Sequence, residues 1–316
     1  MHLPDLTVAR FRFTLQAVDV LTLPDYKGST LRGGFGHSFR KVVCTMGPIP
    51  CATCLLHFKC PYPRFFETPV SEKTPPFMRG VKTGPQPFVL EPPLENKRIY
   101  QSGEKLEFIL ILIGRAIEYL SYFVYAFYQL GVMGIGRGKG KFRLQQVDFF
   151  SEGWQTVYTH TTQLLSLNDT YVNSRPAVTE NATAKQVILT FLTPTRIKVK
   201  GHLTTEISFR ELTVHLLRRV NSLAYFHTKS PTIVWDWQTV LEAADNVSLK
   251  NQQLQWVDWE RYSNRQKTRM KLGGFVGEMT FSGDLGQFIA LLQIGELVHV
   301  GKGATFGLGK YKMRFL

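Results

Sequence analysis

A short glycine- and lysine-rich segment occurs twice in this chain, at positions about half the chain length apart. Residues 138–144 and 307–313 share one spacing, in which two glycines one residue apart precede alternating basic and apolar side chains. Each copy follows an apolar stretch with helical periodicity and leads into a strand-like segment. An internal repeat of this kind predicts two similar domains, one in each half of the chain.

The hydrophobic periodicity predicts the same order of strands and helices around both copies. In the first half the predicted strands are 10–17, 88–91, 105–113 and one ending at 150, and the predicted helices are 29–43, capped by Ser29 or Thr30, and 115–131. In the second half the predicted strands are 187–192, its hairpin partner 196–200, 254–263, 270–281 and 310–315, and the predicted helices are 208–225, 231–250 and 284–299. We therefore predict an α+β fold with two tandem ferredoxin-like (β-α-β-β-α-β) domains, residues 1–150 and 151–316, each with a glycine-rich loop before its last strand.

All four cysteines lie in one short segment of the first domain, with the spacing Cys44-x6-Cys51-x2-Cys54-x5-Cys60. In a reducing cytosol such clustering is typical of metal binding rather than of disulfides. Four thiolates can close a tetrahedral site, so the segment 44–60 predicts an inserted loop held by a structural zinc ion. A four-iron cluster is an alternative, although the spacing fits neither common ferredoxin pattern, and an empty set of reduced thiols is another.

The charge balance favours a polyanionic partner. Lys and Arg number 38 against 24 Asp and Glu, which gives a formal net charge of +14. An excess of this size indicates nucleic acid before a membrane surface. Residues 1–20 lack a signal-peptide pattern, and Arg115, Glu118 and Gln129 interrupt the most apolar region, so we expect a cytoplasmic protein without a membrane span.

The predicted helix 29–43 has an unusual polar side. At 100° per residue its large apolar residues cluster on one side, whereas His37, Arg40 and Lys41 fall on the other. His37 is therefore not predicted to be a core histidine. Three glycines at 33–36 each cost up to about 1 kcal/mol relative to alanine in a helix. Their presence predicts that another element or a ligand passes close to this backbone.

Several motifs resemble the RAMP superfamily of CRISPR-associated proteins, most closely its repeat-RNA endoribonucleases. They are Leu-Arg-Gly-Gly-Phe-Gly-His at 31–37, the cysteine segment leading into Pro61-Tyr62, and the segments 114–119, 262–267 and 295–302. The block 295–311 is the most specific of these. The resemblance implies an enzyme that cleaves the repeats of a precursor transcript to release guide RNAs, without a catalytic metal.

The resemblance also implies a mechanism, in which a ribose 2′-hydroxyl attacks the adjacent phosphate and leaves a 2′,3′-cyclic phosphate and a 5′-hydroxyl. This chemistry needs a base, an acid and positive charge at the phosphorane. We assign His37 as general base or acid and Lys41 or Arg40 as the stabiliser of the phosphate charge. Tyr26 is a candidate for orienting the nucleophile, and His299, just before the terminal glycine loop, competes with His37.

Basic side chains recur on the predicted strands, loops and turns, where they are expected to bind the RNA backbone. The predicted RNA-binding residues are Arg40, Arg137, Lys139, Lys141, Arg143, Lys198, Arg265, Lys267, Arg269, Lys302, Gly303, Gly307, Gly309 and Lys310. The expected partners are CRISPR repeat RNA, guide RNA and subunits of a CRISPR effector complex. Two other functions remain open: a non-catalytic RAMP subunit that only binds guide RNA, and a DNA-binding zinc protein.

Overall fold

The computed structural model describes residues 3–70, 78, 81, 83–166, 184–229, 233, 236–258, 260–263 and 268–316, with the side chains of 260–263 and 268–271 left out. The chain forms two compact units. The N-terminal unit comprises Thr7–Arg175 and Phe226–Lys229. The C-terminal unit comprises Met1–Leu6, Pro176–Tyr225 and Ser230–Leu316.

The N-terminal unit contains one five-stranded antiparallel sheet and two long helices. Its elements are β1 Val8–Ala17, β2 Leu21–Thr22, α1 Gly28–Val43, α2 Pro61–Phe66, β3 Phe88–Glu91, β4 Ile99–Tyr100, β5 Lys105–Ile113, α3 Leu120–Met133, β6 Phe142–Phe150 and β7 Trp154–Thr159. The sheet order is β3-β5-β1-β6-β7. The first four strands follow the ferredoxin-like arrangement, and β7 extends the sheet beyond residue 150 because it pairs with β6.

The core of this unit lies between the sheet and the two helices, and phenylalanine dominates it. Phe35 of α1 stacks on Phe127 of α3 with ring centroids 4.7 Å apart. Phe127 in turn contacts Phe13 on the inner face of β1 at 5.1 Å. Burial of such large rings contributes on the order of 2–3 kcal/mol each, so α1 is firmly fixed on the sheet.

The C-terminal unit repeats the same arrangement. Its elements are β8 Gln186–Thr195, β9 Lys198–Val199, β10 His202–Leu203, α4 Phe209–His227, α5 Trp237–Asp245, β11 Ser248–Val257, β12 Glu260–Ser263, β13 Thr268–Lys271, β14 Gly274–Ser282, α6 Ile289–Val298 and β15 Tyr311–Phe315. The last two residues of α4 belong to the N-terminal unit. The sheet order β11-β14-β8-β15 is again ferredoxin-like. The predicted fold class of two tandem ferredoxin-like domains is therefore confirmed.

Several predicted elements differ from the structure, among them two helices and one strand. The helix predicted at 231–250 ends at Asp245, since residues from Ser248 onward pair with β14. The strand predicted at 196–200 is not a partner of β8, because Lys198 and Val199 form a short hairpin with His202 and Leu203. Helix α1 begins at Gly28 rather than after a Ser29 or Thr30 cap, and its N-cap residue Lys27 makes no side-chain capping bond.

Candidate functional site

His37 lies on the solvent-exposed side of α1, as the wheel predicts. Leu31, Phe35 and Phe39 are fully buried on the other side. The hydroxyl of Ser38 donates to the carbonyl oxygen of Ala126 in α3 at 2.7 Å, which fixes the rotation of α1 about its own axis. His37 and Lys41, one turn apart, are consequently both exposed.

Partial burial and the charges of three cations favour the neutral form of His37. The pKa of His37 is lowered, first by partial burial and then by the charges of Lys41, Arg40 and Lys139. A neutral imidazole can accept a proton at neutral pH, which is the requirement for a general base. Because the charges of Lys41 and Lys139 act on His37, both are candidates to act on an anion bound beside it.

Lys139 comes from the first glycine loop, residues 134–140. The loop is held by backbone bonds from Ile135 N to Gly140 O at 2.9 Å and from Arg137 N to Thr22 O at 3.0 Å. These bonds leave Arg137, Gly138 and Lys139 exposed at its tip. The structure thus brings two sequence-predicted groups together, the helix of His37 and the first glycine loop.

The three glycines of α1 differ in their surroundings. A Cβ on Gly34 would lie 3.0 Å from Leu130 Cδ1, and one on Gly36 would lie 3.0 Å from Phe66 Cε1. Close packing therefore accounts for these two. Gly33 has nothing within 4 Å of an added Cβ and lies one turn before His37 on the exposed side. Packing gives no reason for glycine at this position.

Tyr26 and Arg40, also predicted for this site, have other surroundings. Tyr26 is half-buried, and its pKa is raised first by burial and then by the charge of Glu91, so its hydroxyl stays protonated at neutral pH. The guanidinium of Arg40 donates to Ile49 O at 3.3 Å and lies over the ring of Tyr62 at 5.6 Å. Arg40 is therefore directed toward the cysteine segment.

His299 is the first residue of the second glycine loop, residues 299–310. The side chain of His299 is fully buried and its Nδ1 is 3.0 Å from Leu308 O. The residue has a positive φ of 62° at the C-terminal end of α6. This environment gives His299 no exposed face toward a substrate, whereas His37 has one.

A second group of cations lies at the base of this loop. The pKa of Lys302 is lowered by burial and by the charges of Lys198 and Arg196. The backbone N–H of Lys302 donates to Arg196 O at 3.0 Å, and burial lowers the pKa of Arg196. None of these three cations has an ion pair with a described carboxylate. Mutual repulsion among them is relieved by an anion, so the group is a candidate phosphate site.

The remaining predicted RNA-binding residues have mixed exposure. Lys141 and Arg143 are exposed, Lys310 and Gly303 are half-buried, and Gly307 and Gly309 are buried. Arg265 and Lys267 lie outside the described residues, and Arg269 lies on β13 with its side chain not described. The RNA-binding assignments of all these residues stay predictions.

Sequence reasoning missed two exposed tyrosines on α3, the helix that packs against α1. Tyr122 and Tyr125 are 44% and 51% exposed, and Gln129 donates to the Tyr125 hydroxyl at 2.8 Å. Their spacing of three residues on an apolar helix was the available signal. Exposed aromatic rings are suited to stacking on bases.

Comparison with known proteins places this geometry in a family. Residues 189–311 match CRISPR-associated endoribonuclease Cas6, and residues 6–170, more than half of the chain, match AF_1859_N, which is described as an N-terminal domain. The chain therefore belongs to the AF_1859_N family, and its C-terminal part matches the Cas6 endoribonucleases, which confirms the resemblance seen in its motifs. An uncharacterized protein of Archaeoglobus fulgidus is 25% identical over 304 residues, with 92% of this chain and 93% of that protein covered.

Solved Cas6 structures share the fold of the whole chain. A Cas6 product complex matches with a TM-score of 0.56 and 16% identity, covering 98% of this chain and 99% of that chain. Cas6 of Thermus thermophilus matches with a TM-score of 0.51 and 14% identity over the same shares of the two chains. A chain of a partial Cas6-RT-Cas1–Cas2 complex matches at 0.60 and 15% identity, with all of this chain but 47% of that chain covered.

No helix among the described residues is both long and apolar enough to cross a membrane.

Proposed function

We propose that this protein is an endoribonuclease that cleaves CRISPR repeat RNA within the precursor transcript and thereby releases guide RNAs. The match of residues 189–311 to the Cas6 endoribonucleases supports the substrate and the reaction class. The observation that supports the site is the position of His37, which is exposed on α1 and has its neutral form favoured by partial burial and then by the charges of Lys41, Arg40 and Lys139. Attack of a ribose 2′-hydroxyl on the adjacent phosphate requires a neutral base and nearby positive charge.

In the proposed reaction, His37 accepts the proton of the ribose 2′-hydroxyl as the oxygen attacks the neighbouring phosphorus. Lys41 and Lys139 stabilise the extra negative charge of the phosphorane. The bond to the 5′-oxygen then breaks, and that oxygen takes a proton from a general acid to become a 5′-hydroxyl. The products are a 2′,3′-cyclic phosphate and a 5′-hydroxyl, and no step needs a metal ion.

One assay tests the activity and the route together. The full chain is incubated with repeat RNA in excess EDTA, and the ends of the products are analysed. Cleavage that leaves a cyclic phosphate supports the proposal, and a substrate with a single 2′-deoxy residue at the cut should be inert. Tight binding without cleavage would instead support a guide-RNA-binding subunit, and equal binding of a deoxy version of the repeat would favour a DNA-binding protein.

The cation group at the second glycine loop should bind the RNA backbone. We expect the double variant Lys198→Ala, Lys302→Ala to bind repeat RNA more weakly and to reduce the slope of log K against log salt, by about 0.7 for each lost phosphate contact. Filter binding between low and moderate salt measures the slope. Lys250→Ala removes an exposed lysine of β11 that is not among the cations acting on Lys302 and serves as the control. An unchanged slope in the double variant would exclude a phosphate contact there.

Gly33 should be needed for RNA rather than for folding. We expect Gly33→Ala to raise the free energy of unfolding by about 0.5–1 kcal/mol, because alanine is the better helix residue and has room. We expect the same variant to weaken repeat-RNA binding, since a methyl group would separate the bare backbone from the RNA. Thermal denaturation and filter binding measure the two effects. If Gly33→Ala binds repeat RNA as tightly as the native chain, the exposed side of α1 does not contact the RNA.

A further inference from the structure

The four cysteines of the segment 44–60 meet in one pocket of the N-terminal unit. Cys44 is the C-cap of α1, Cys51 opens the short 3-10 turn Cys51–Thr53, and Cys60 is the N-cap of α2. All four side chains line the same pocket, are half-buried, and are free thiols. Residues 16 positions apart in sequence are thus brought together by a loop that has little regular structure of its own.

Two of the sulfurs already accept hydrogen bonds from the backbone. The N–H of Leu56 donates to Cys54 Sγ at 3.4 Å, and the N–H of Tyr62 donates to Cys60. In both cases the donor is two residues after the cysteine. Such bonds stabilise negative charge on sulfur and orient it, which prepares a thiolate to act as a ligand.

The surroundings supply a counter-charge for the thiolates. Arg40 lines the same pocket, and its guanidinium donates to Ile49 O at 3.3 Å, within the cysteine segment. A dianionic four-thiolate centre would gain from that guanidinium. His57 also lines the pocket, with its Nδ1 2.7 Å from Cys51 O, but the four thiolates already complete a tetrahedral site.

We propose that Cys44, Cys51, Cys54 and Cys60 bind one zinc ion in a closed tetrahedral site. Among the described residues no three His, Cys, Asp or Glu side chains are spaced to hold a metal as they stand, so binding requires the four sulfurs to move inward within the pocket. A site with four protein ligands has no open position for catalysis. Its role is structural: it fixes the cysteine loop to the C-terminal end of α1, the helix of His37. The proposal does not rest on the proposed activity.

Metal analysis of the full chain tests the site directly. We expect about one zinc per chain after purification without chelator, and cobalt added to the stripped protein should produce sulfur-to-cobalt charge transfer and the intense visible bands of a tetrahedral centre. Zinc should be lost in Cys54→Ser and in Cys60→Ser. His57→Ala is the matched control, since it changes the same pocket and should keep its zinc.

Three outcomes would overturn the proposal: a stripped chain that binds neither zinc nor cobalt, a chain that holds iron and sulfide instead, or loss of zinc in His57→Ala. Because the serine variants can fail to fold, zinc release is also followed in the native chain by titration of its thiols with a mercurial. Release of one zinc as four thiols react supports the site, and four reactive thiols without zinc release contradict it.

Discussion

Replacement of His37 by alanine is expected to slow cleavage of repeat RNA by about 10²–10⁴-fold, the usual contribution of a general acid–base group. His37 is exposed on a helix whose buried side is unaffected by the change, so the variant should fold and bind RNA as before. Single-turnover cleavage under saturating enzyme measures the chemical step separately from binding. The effect should therefore fall on the rate constant and not on the dissociation constant.

The pH dependence supplies a second readout of the same residue. A base must be neutral, so the rate should fall as the pH drops through the pKa of His37, which lies below its ordinary value because of burial and of Lys41, Arg40 and Lys139. Removing the charge of Lys139 with Lys139→Gln should raise that pKa and move the acid limb to higher pH. NMR titration of the His37 ring follows the pKa independently of the reaction.

His299→Ala is the comparison that decides between the two histidines. Because His299 is fully buried, we expect its loss to lower stability, and any loss of cleavage should follow the loss of folded protein. The assignment to His37 is wrong if His37→Ala cleaves at the full rate while a folded His299→Ala does not cleave.

Sequence periodicity predicted the fold well because both halves repeat one order of elements. Strands 88–91 and 105–113 were predicted to the residue, since each is a mostly apolar segment flanked by proline or glycine. The helix predicted at 231–250 extends beyond the observed end at Asp245, and the reason is physical. Residues from Ser248 onward have a weak pattern of their own and are held as a strand by pairing with β14, which is a non-local interaction.

The candidate site was predictable only where it is local. The exposed side of α1 follows from the helical period, so His37 and Lys41 could be placed together. The approach of Lys139 to His37 could not, since it depends on how residues 134–140 bond to β2 across the fold. The burial of His299 was likewise hidden, because it depends on a loop conformation that a glycine-rich sequence leaves open.

The structural roles of the glycines in the two loops also depend on loop conformation, which the sequence alone does not predict. We expect Gly309→Ala to lower the free energy of unfolding by about 2–5 kcal/mol, from left-handed strain of about 1–2 kcal/mol and overpacking of about 1–3 kcal/mol. Gly309 has φ of 73°, and an added Cβ would collide with the carbonyl oxygen of Val300. The carbonyl of Val300 cannot move away easily, because the N–H of the same residue donates to Gly309 O at 3.1 Å. Chemical denaturation of the purified variant measures the loss.

Gly138→Ala separates the two contributions, because Gly138 has φ of 80° but nothing within 4 Å of an added Cβ. It should lose only the left-handed term, about 1–2 kcal/mol. If both variants lost the same amount, the collision with Val300 would contribute nothing, and Gly309 would be explained by backbone conformation alone. A larger loss in Gly309→Ala means that this glycine is required by the fold itself. Any further role of Gly309 in RNA binding would then have to be measured in conditions where the variant remains folded.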